Sequence, residues 1–155
     1  MADETVRDMG RTALTGHGAL EGYMSTLEVY LELAEAQSAG AEPEELLSSL
    51  SKLLPGMHRY ARMVPIGQAR AASCEARYSA LRGNRAAALK ALRRSLNAAQ
   101  AHDLPYDQAL AHLWLARLAP SSTDPKLLWP DARVHYAAAR QLFQRIGAAD
   151  STPAT

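Results

Sequence analysis

The stretch QARAASCEARYSA at residues 68–80 decides the fold, because it returns in altered form as QALAHLWLARLAP at residues 108–120. At an offset of 40, alanine coincides with alanine at three positions, and Arg77 falls over Arg117. Self-similarity at a fixed period is typical of repeat architectures. The two stretches therefore predict that the chain is built from repeated units.

The segments that follow each copy define the length of the unit. ALRRSLNAAQAHD at 91–103 aligns with HYAAARQLFQRIG at 135–147 at an offset of 44, and the four extra residues fall in the Pro- and Ser-rich segment 120–131. We expect a helix pair of about 40 residues as the repeating unit, and a repeat domain over 16–147. The helix pairs are predicted at 16–64, 66–103 and 105–147.

Helical periodicity supports this division. Apolar residues from Leu20 to Ala34 recur at the i, i+3, i+4, i+7 spacing of an amphipathic helix, and Gly40 supplies a stop. Pro43 begins a second helix, which Pro55 is expected to bend or break. Four further helices are predicted at about 67–81, 84–102, 106–118 and 130–146. The fold class is therefore all-α, a helical-hairpin solenoid of about three helix pairs.

Length, cysteine count and the start of the chain predict the number of domains and the cellular compartment. The 155 residues suit one domain, and the polar start of the chain resembles no signal peptide. The single Cys74 excludes an internal disulfide and is expected to be a buried structural thiol. We expect a cytoplasmic protein without a membrane span, with a polar lead-in at 1–15 and a disordered tail at 148–155.

Charge is distributed unevenly. Residues 1–45 hold ten acidic against two basic side chains, a balance of −8, whereas residues 46–105 hold ten basic against two acidic, a balance of +8. One interpretation is that neighbouring helices neutralise each other across their contacts. The alternative is self-association, or a charged partner, steered by the opposite charge of the N-terminal and middle helices.

The stretch LRGNRAAALKALRRSL at 81–96 resembles the turn and second helix of a tetratricopeptide-type repeat. Gly83 stands at the inter-helix turn, Ala88 where a small residue is needed, and Leu92 at the large apolar position. Ser95 stands where that repeat commonly carries an alanine.

Over residues 57–147, the order of segments is similar to the C-terminal helical-repeat tails of large bacterial signalling ATPases. These include regulators of the maltose-activator type and proteins with an added kinase or nucleotide-cyclase domain. The resemblance implies a scaffold or regulatory module, with catalysis in domains outside this chain.

The sequence contains no complete motif for phosphate binding or metal binding. The stretch GRTALTGHG at 10–18 has five residues between Gly10 and Gly16 and lacks the lysine of a phosphate-binding loop. No two histidines have the i, i+4 spacing of a metal site on one helix face. We therefore predict no catalytic, cofactor or metal residues, and no enzymatic activity in this chain.

Residues for partner binding are the remaining candidates. The helix predicted at about 84–102 combines an apolar face with a basic flank, which favours a solvated surface or an acidic partner over nucleic acid, because no stacking aromatics accompany it. Trp114 is interpreted either as packing between hairpins or as a binding hot spot. The predicted partner-binding residues are Arg77, Lys90, Arg93, Arg94, Trp114 and Arg117.

The resulting functional expectation is a protein-interaction or regulatory scaffold. The alternative is a ligand- or peptide-sensing module that controls an attached ATPase, kinase or cyclase domain. Nucleic-acid binding through the basic middle helices is a third, less favoured hypothesis.

Overall fold

The computed structural model describes residues 17–37, 44–118 and 132–148, and all regular structure in these ranges is helical. This confirms the all-α class. The predicted lead-in, the Gly40 stop, the segment 120–131 and the tail after residue 148 lie outside the described residues. The helices are α1 (His17–Gln37), α2 (Glu44–Met63), α3 (Gln68–Leu81), α4 (Arg85–Ala101), α5 (Pro105–Leu118) and α6 (Ala132–Arg145), with a 3-10 turn at Pro65–Gly67.

Left-handed residues end three helices. Gly83, Asp103 and Gly147 have φ angles of 72°, 48° and 74°. At each, the next amide donates to a carbonyl five residues earlier, for example Asn84 N–H to the Ser79 oxygen at 2.8 Å. The Asn84 side chain then accepts from the Ala87 amide at 3.0 Å and begins α4. Gly83 therefore occupies the predicted turn between α3 and α4.

Pro55 lies inside α2, and the helix continues through it from Glu44 to Met63. Of the two effects expected of Pro55, a bend or a break, the break does not occur. The buried Tyr23 hydroxyl of α1 donates to the Leu53 carbonyl, in the turn where proline removes an amide donor. Gly56 leaves the space in which the Tyr23 ring sits. A tertiary contact thus supports the helix at its weakest turn.

Each described helix packs on the next, and α1 also contacts α3, as α3 contacts α5. The α1–α2–α3 core holds most of the large buried side chains, whereas α3 and α4 meet mainly through alanines. The Ser95 hydroxyl is buried between them and donates to the Ala69 carbonyl at 2.7 Å. Small side chains let α3 lie close to its neighbours. The other two core clusters centre on Ala76, Ala91, Leu92 and Leu115, and on Ala109, Leu113, Ala139 and Phe143.

Candidate partner-binding surface

A first polar row crosses the odd-numbered helices. Arg70 of α3 places its Nε 3.2 Å from Glu28 Oε1 of α1 and 3.9 Å from Asp107 Oδ1 of α5. Burial raises the pKa of Asp107, and the Arg70 charge opposes that rise. The Arg70 Nε is itself buried and makes no hydrogen bond within the described residues. The row is therefore held by charge proximity rather than by aligned hydrogen bonds.

A second polar row crosses the same helices. Arg77 of α3 donates from Nε and Nη2 to the two carboxylate oxygens of Glu35 on α1, at 2.8 and 2.9 Å. Its guanidinium carbon also lies 5.1 Å from the centroid of the Trp114 ring on α5. Burial alone would lower the pKa of Arg77, but the Glu35 hydrogen bonds and charge outweigh it and raise the pKa.

Both rows have the same spacing. On α1, α3 and α5 alike, the residue of the second row follows that of the first by seven positions. Seven residues are almost two helical turns, so the two side chains emerge on one face of each helix. The three helices therefore run parallel, and together they present one surface, which we call the polar wall.

Arg117 extends the second row. Its guanidinium carbon lies 4.9 Å from the centroid of the Trp114 ring, which is contacted by Arg77 as well. Arg117 is exposed, and the described residues place no carboxylate within 4 Å of it. Trp114 also packs against the core cluster around Leu92, as the packing interpretation predicts. Three predicted residues, Arg77, Trp114 and Arg117, thus meet at one place.

Cys74 lies beneath the polar wall. It is buried, and burial, followed by the nearby Glu28 charge, raises the pKa of its thiol to about 12. A thiol with that pKa is protonated at neutral pH and is a poor nucleophile. The expectation of a buried thiol is confirmed.

The basic middle segment is partly neutralised within the chain. Arg94 Nη2 lies 2.6 Å from Glu75 Oε1, and Arg82 Nη1 lies 3.6 Å from Glu44 Oε1. The Arg85 guanidinium donates to the Leu118 carbonyl at the end of α5. Together with the two polar rows, the Arg82–Glu44 pair supports mutual neutralisation between acidic and basic helices. Lys90 and Arg93 are exposed on α4.

Two side-chain clusters were not predicted. His112 of α5 and His135 of α6 approach through their Nδ1 atoms at 2.8 Å. Glu75 of α3 contacts Arg94 and also His58 of α2, whose Nε2 lies 3.1 Å from Glu75 Oε2. The spacing of histidines within a single helix could not predict either cluster, because each cluster joins residues of different helices. The described residues hold no group of three side chains suited to bind a metal ion.

The chain matches no model of a known protein family, no curated protein and no solved structure. Within the described residues, no helix has the length and apolar character needed to cross a membrane.

Proposed function

We propose that this chain is a non-catalytic protein-interaction module, built as a solenoid of three helical hairpins. The parallel arrangement of α1, α3 and α5 supports this proposal, because stacked hairpins place their first helices side by side. The contacts between these helices also favour a curved stack with the polar wall on its inner side. In tetratricopeptide-type repeats, which residues 81–96 resemble, that inner side binds peptides.

The occupant we propose is an acidic peptide segment of a partner protein. The observation that carries the proposal is the Trp114 ring, contacted by the guanidinium groups of both Arg77 and Arg117. Arg77 is already held by Glu35, whereas Arg117 is exposed on the same ring. A stacked arginine loses little conformational freedom when it binds a carboxylate, and tryptophan and arginine dominate binding hot spots.

The wider context remains the one implied by the resemblance. We propose that the module belongs to a bacterial signalling protein and acts in the cytoplasm. Nucleic-acid binding is less favoured, because Arg82 and Arg85 are engaged within the chain. Self-association through opposite charges is less favoured for the same reason, since the contacts of Glu28, Glu35 and Glu44 are internal.

A peptide-display selection tests the proposal. The purified chain is used to select binders from a library of random short peptides, and the affinities of enriched peptides are measured by fluorescence anisotropy. We expect enrichment of sequences that combine Asp or Glu with apolar residues. Arg117→Glu should weaken the enriched peptides about tenfold, because it replaces an attraction by a repulsion at a hot spot.

The control is Arg140→Glu, which makes the same charge change at an exposed position of α6, outside the polar wall. It should leave the affinities within about twofold, since surface charges are screened by salt. A selection without enrichment, or equal effects of the two variants, would overturn the proposed site. Circular dichroism of both variants shows that the helices are intact.

A further inference from the structure

A cleft lies on the side of α3 opposite the polar wall. The helices α2 and α4 both pack on α3 but form no comparable contact with each other, so a gap remains between them. Glu75, which faces the gap, and Arg77, which faces the polar wall, are two residues apart and point about 200° apart around α3. The cleft is largely open to solvent and has a volume of about 730 Å³, within the range of small-molecule sites. It is therefore a separate candidate site.

The floor of the cleft is apolar and its rim is polar. Methyl groups of four alanines line it, and the other lining residues carry donors or charge. Glu75 sits centrally and contacts both His58 and Arg94, which fixes these two side chains at the rim. The full lining is Ala61, Ala71, Ala72, Ala98, His58, Arg62, Gln68, Glu75, Arg94 and Asn97.

The charges of the cleft favour an anion. Two arginines, Arg62 and Arg94, face one carboxylate, Glu75, which leaves one net positive charge when His58 is neutral. Arg62 is exposed, and the described residues place no carboxylate within 4 Å of it. A guanidinium presents five N–H donors in a plane, a geometry that matches a carboxylate group. One excess positive charge suits a monoanion better than a dianion.

We propose that the cleft between α2 and α4 binds a small monocarboxylate with a short apolar body. The carboxylate pairs with Arg62 and Arg94, and the apolar body lies on the alanine floor. The side-chain amides of Gln68 and Asn97 supply further N–H donors for the carboxylate oxygens. This site is independent of the peptide-binding proposal, because no residue of the polar wall lines it.

Amide chemical-shift titration of the full chain tests the proposal. The probes are butyrate, benzoate, neutral butyramide and inorganic phosphate at equal ionic strength. We expect saturable shifts at Ala71, Ala72 and Asn97 with the carboxylates, and dissociation constants about tenfold higher for butyramide and phosphate. Shifts that are equal for butyrate and butyramide, or the absence of saturation with either carboxylate, would overturn the proposal.

Two variants locate the site. Arg94→Gln should weaken butyrate about tenfold, whereas Lys90→Gln, which makes the same charge change one turn earlier on α4, should leave it within about twofold. Ala98→Met fills the floor without changing charge and should also abolish saturation. Equal weakening by Arg94→Gln and Lys90→Gln would show general charge attraction and overturn the assigned site. An unchanged affinity of Ala98→Met for butyrate would also overturn the assigned site.

Discussion

The Nδ1 atoms of His112 and His135 lie 2.8 Å apart, at the contact between α5 and α6. At that distance one nitrogen donates its proton and the other accepts it, so at least one ring must be neutral. His135 is buried, and burial lowers the pKa of both rings, with His135 lowering that of His112 further. The pair therefore resists protonation in the folded state.

Acidification should destabilise the fold through this pair. Because the folded-state pKa values lie below the ordinary value of 6.5, the unfolded chain binds more protons as the pH falls. The contribution of the histidine pair to the free energy of unfolding is complete above about pH 6.5 and is lost progressively as the pH falls toward the lowered pKa values. Urea unfolding between about pH 7.5 and 5.5 should show a falling midpoint.

His112→Gln provides the comparison. The glutamine amide still donates to His135 Nδ1, but it does not titrate, so the midpoint should depend less steeply on pH. If the urea midpoint of His112→Gln fell with pH as steeply as that of the wild type, the acid sensitivity would belong to other groups.

Gly56→Ala should be destabilising, although alanine is normally favoured over glycine within a helix. A Cβ at Gly56 would overlap the Tyr23 hydroxyl and lie 2.9 Å from its Cζ. We expect a loss of about 1–3 kcal/mol in the free energy of unfolding, the usual range for overpacking. In a Tyr23→Leu background, which lacks the ring, the same change should cost less. Additive effects in this double-mutant cycle would contradict the contact.

Two glycine-to-alanine changes should have opposite signs. Gly83 has a φ of 72°, where a Cβ is strained, so Gly83→Ala should lower the free energy of unfolding by about 1 kcal/mol. Gly22 lies in α1, and a Cβ at this position would meet no neighbouring atom within 4 Å, so Gly22→Ala should raise it by about 0.5–1 kcal/mol. Thermal and urea denaturation measure both. A loss of stability on Gly22→Ala would contradict the helical assignment of that turn.

Replacement of arginine by lysine should lower the free energy of unfolding more in the second polar row than in the first. Arg77→Lys keeps the charge but loses the two-pronged bond to Glu35 and the stacking on Trp114, at a cost of about 1 kcal/mol. Arg70→Lys should cost less, because the Arg70 Nε makes no hydrogen bond within the described residues. Urea unfolding measures the free energy of unfolding of both variants. Equal losses would show that the positive charge alone, and not the shape of the guanidinium group, stabilises the second row.

The helices were predictable because their signals are local. Apolar periodicity, the Gly83 turn and the Pro-Glu-Glu start of α2 each act within a few residues, and the observed bounds follow them closely. The meeting of Arg77, Trp114 and Arg117 was partly predictable, since the offset of 40 placed both arginines on the first helices of successive pairs. In the structure Trp114, 37 residues after Arg77, lies level with Arg77, and Arg117 lies almost one turn further along α5. The contact of the Tyr23 hydroxyl with the Leu53 carbonyl near Pro55 was not predictable, because Tyr23 comes from another helix.

The remaining contacts depend on how helices align with each other. The His112–His135 pair and the Glu75 contacts join residues on different helices. Their formation depends on the axial offset and rotation of one helix against the next, which side-chain packing sets. The same holds for the cleft, which exists because α2 and α4 are held apart on α3.

The seven-residue spacing of the polar rows has a consequence for folding. If α3 moved along α1 by seven residues, about 10.5 Å, Arg70 would take the place of Arg77 beside Glu35, and one complete row would form again. Charge alone therefore permits two alignments of these helices. Val64 alone separates α2 from the turn at Pro65–Gly67, so α3 cannot make such a displacement unless α2 moves with it. A movement of α2 along α1 would break the contact of the Tyr23 hydroxyl with the Leu53 carbonyl and the apolar core between the two helices. The short link and the α1–α2 packing, rather than the ion pairs, therefore select the native alignment.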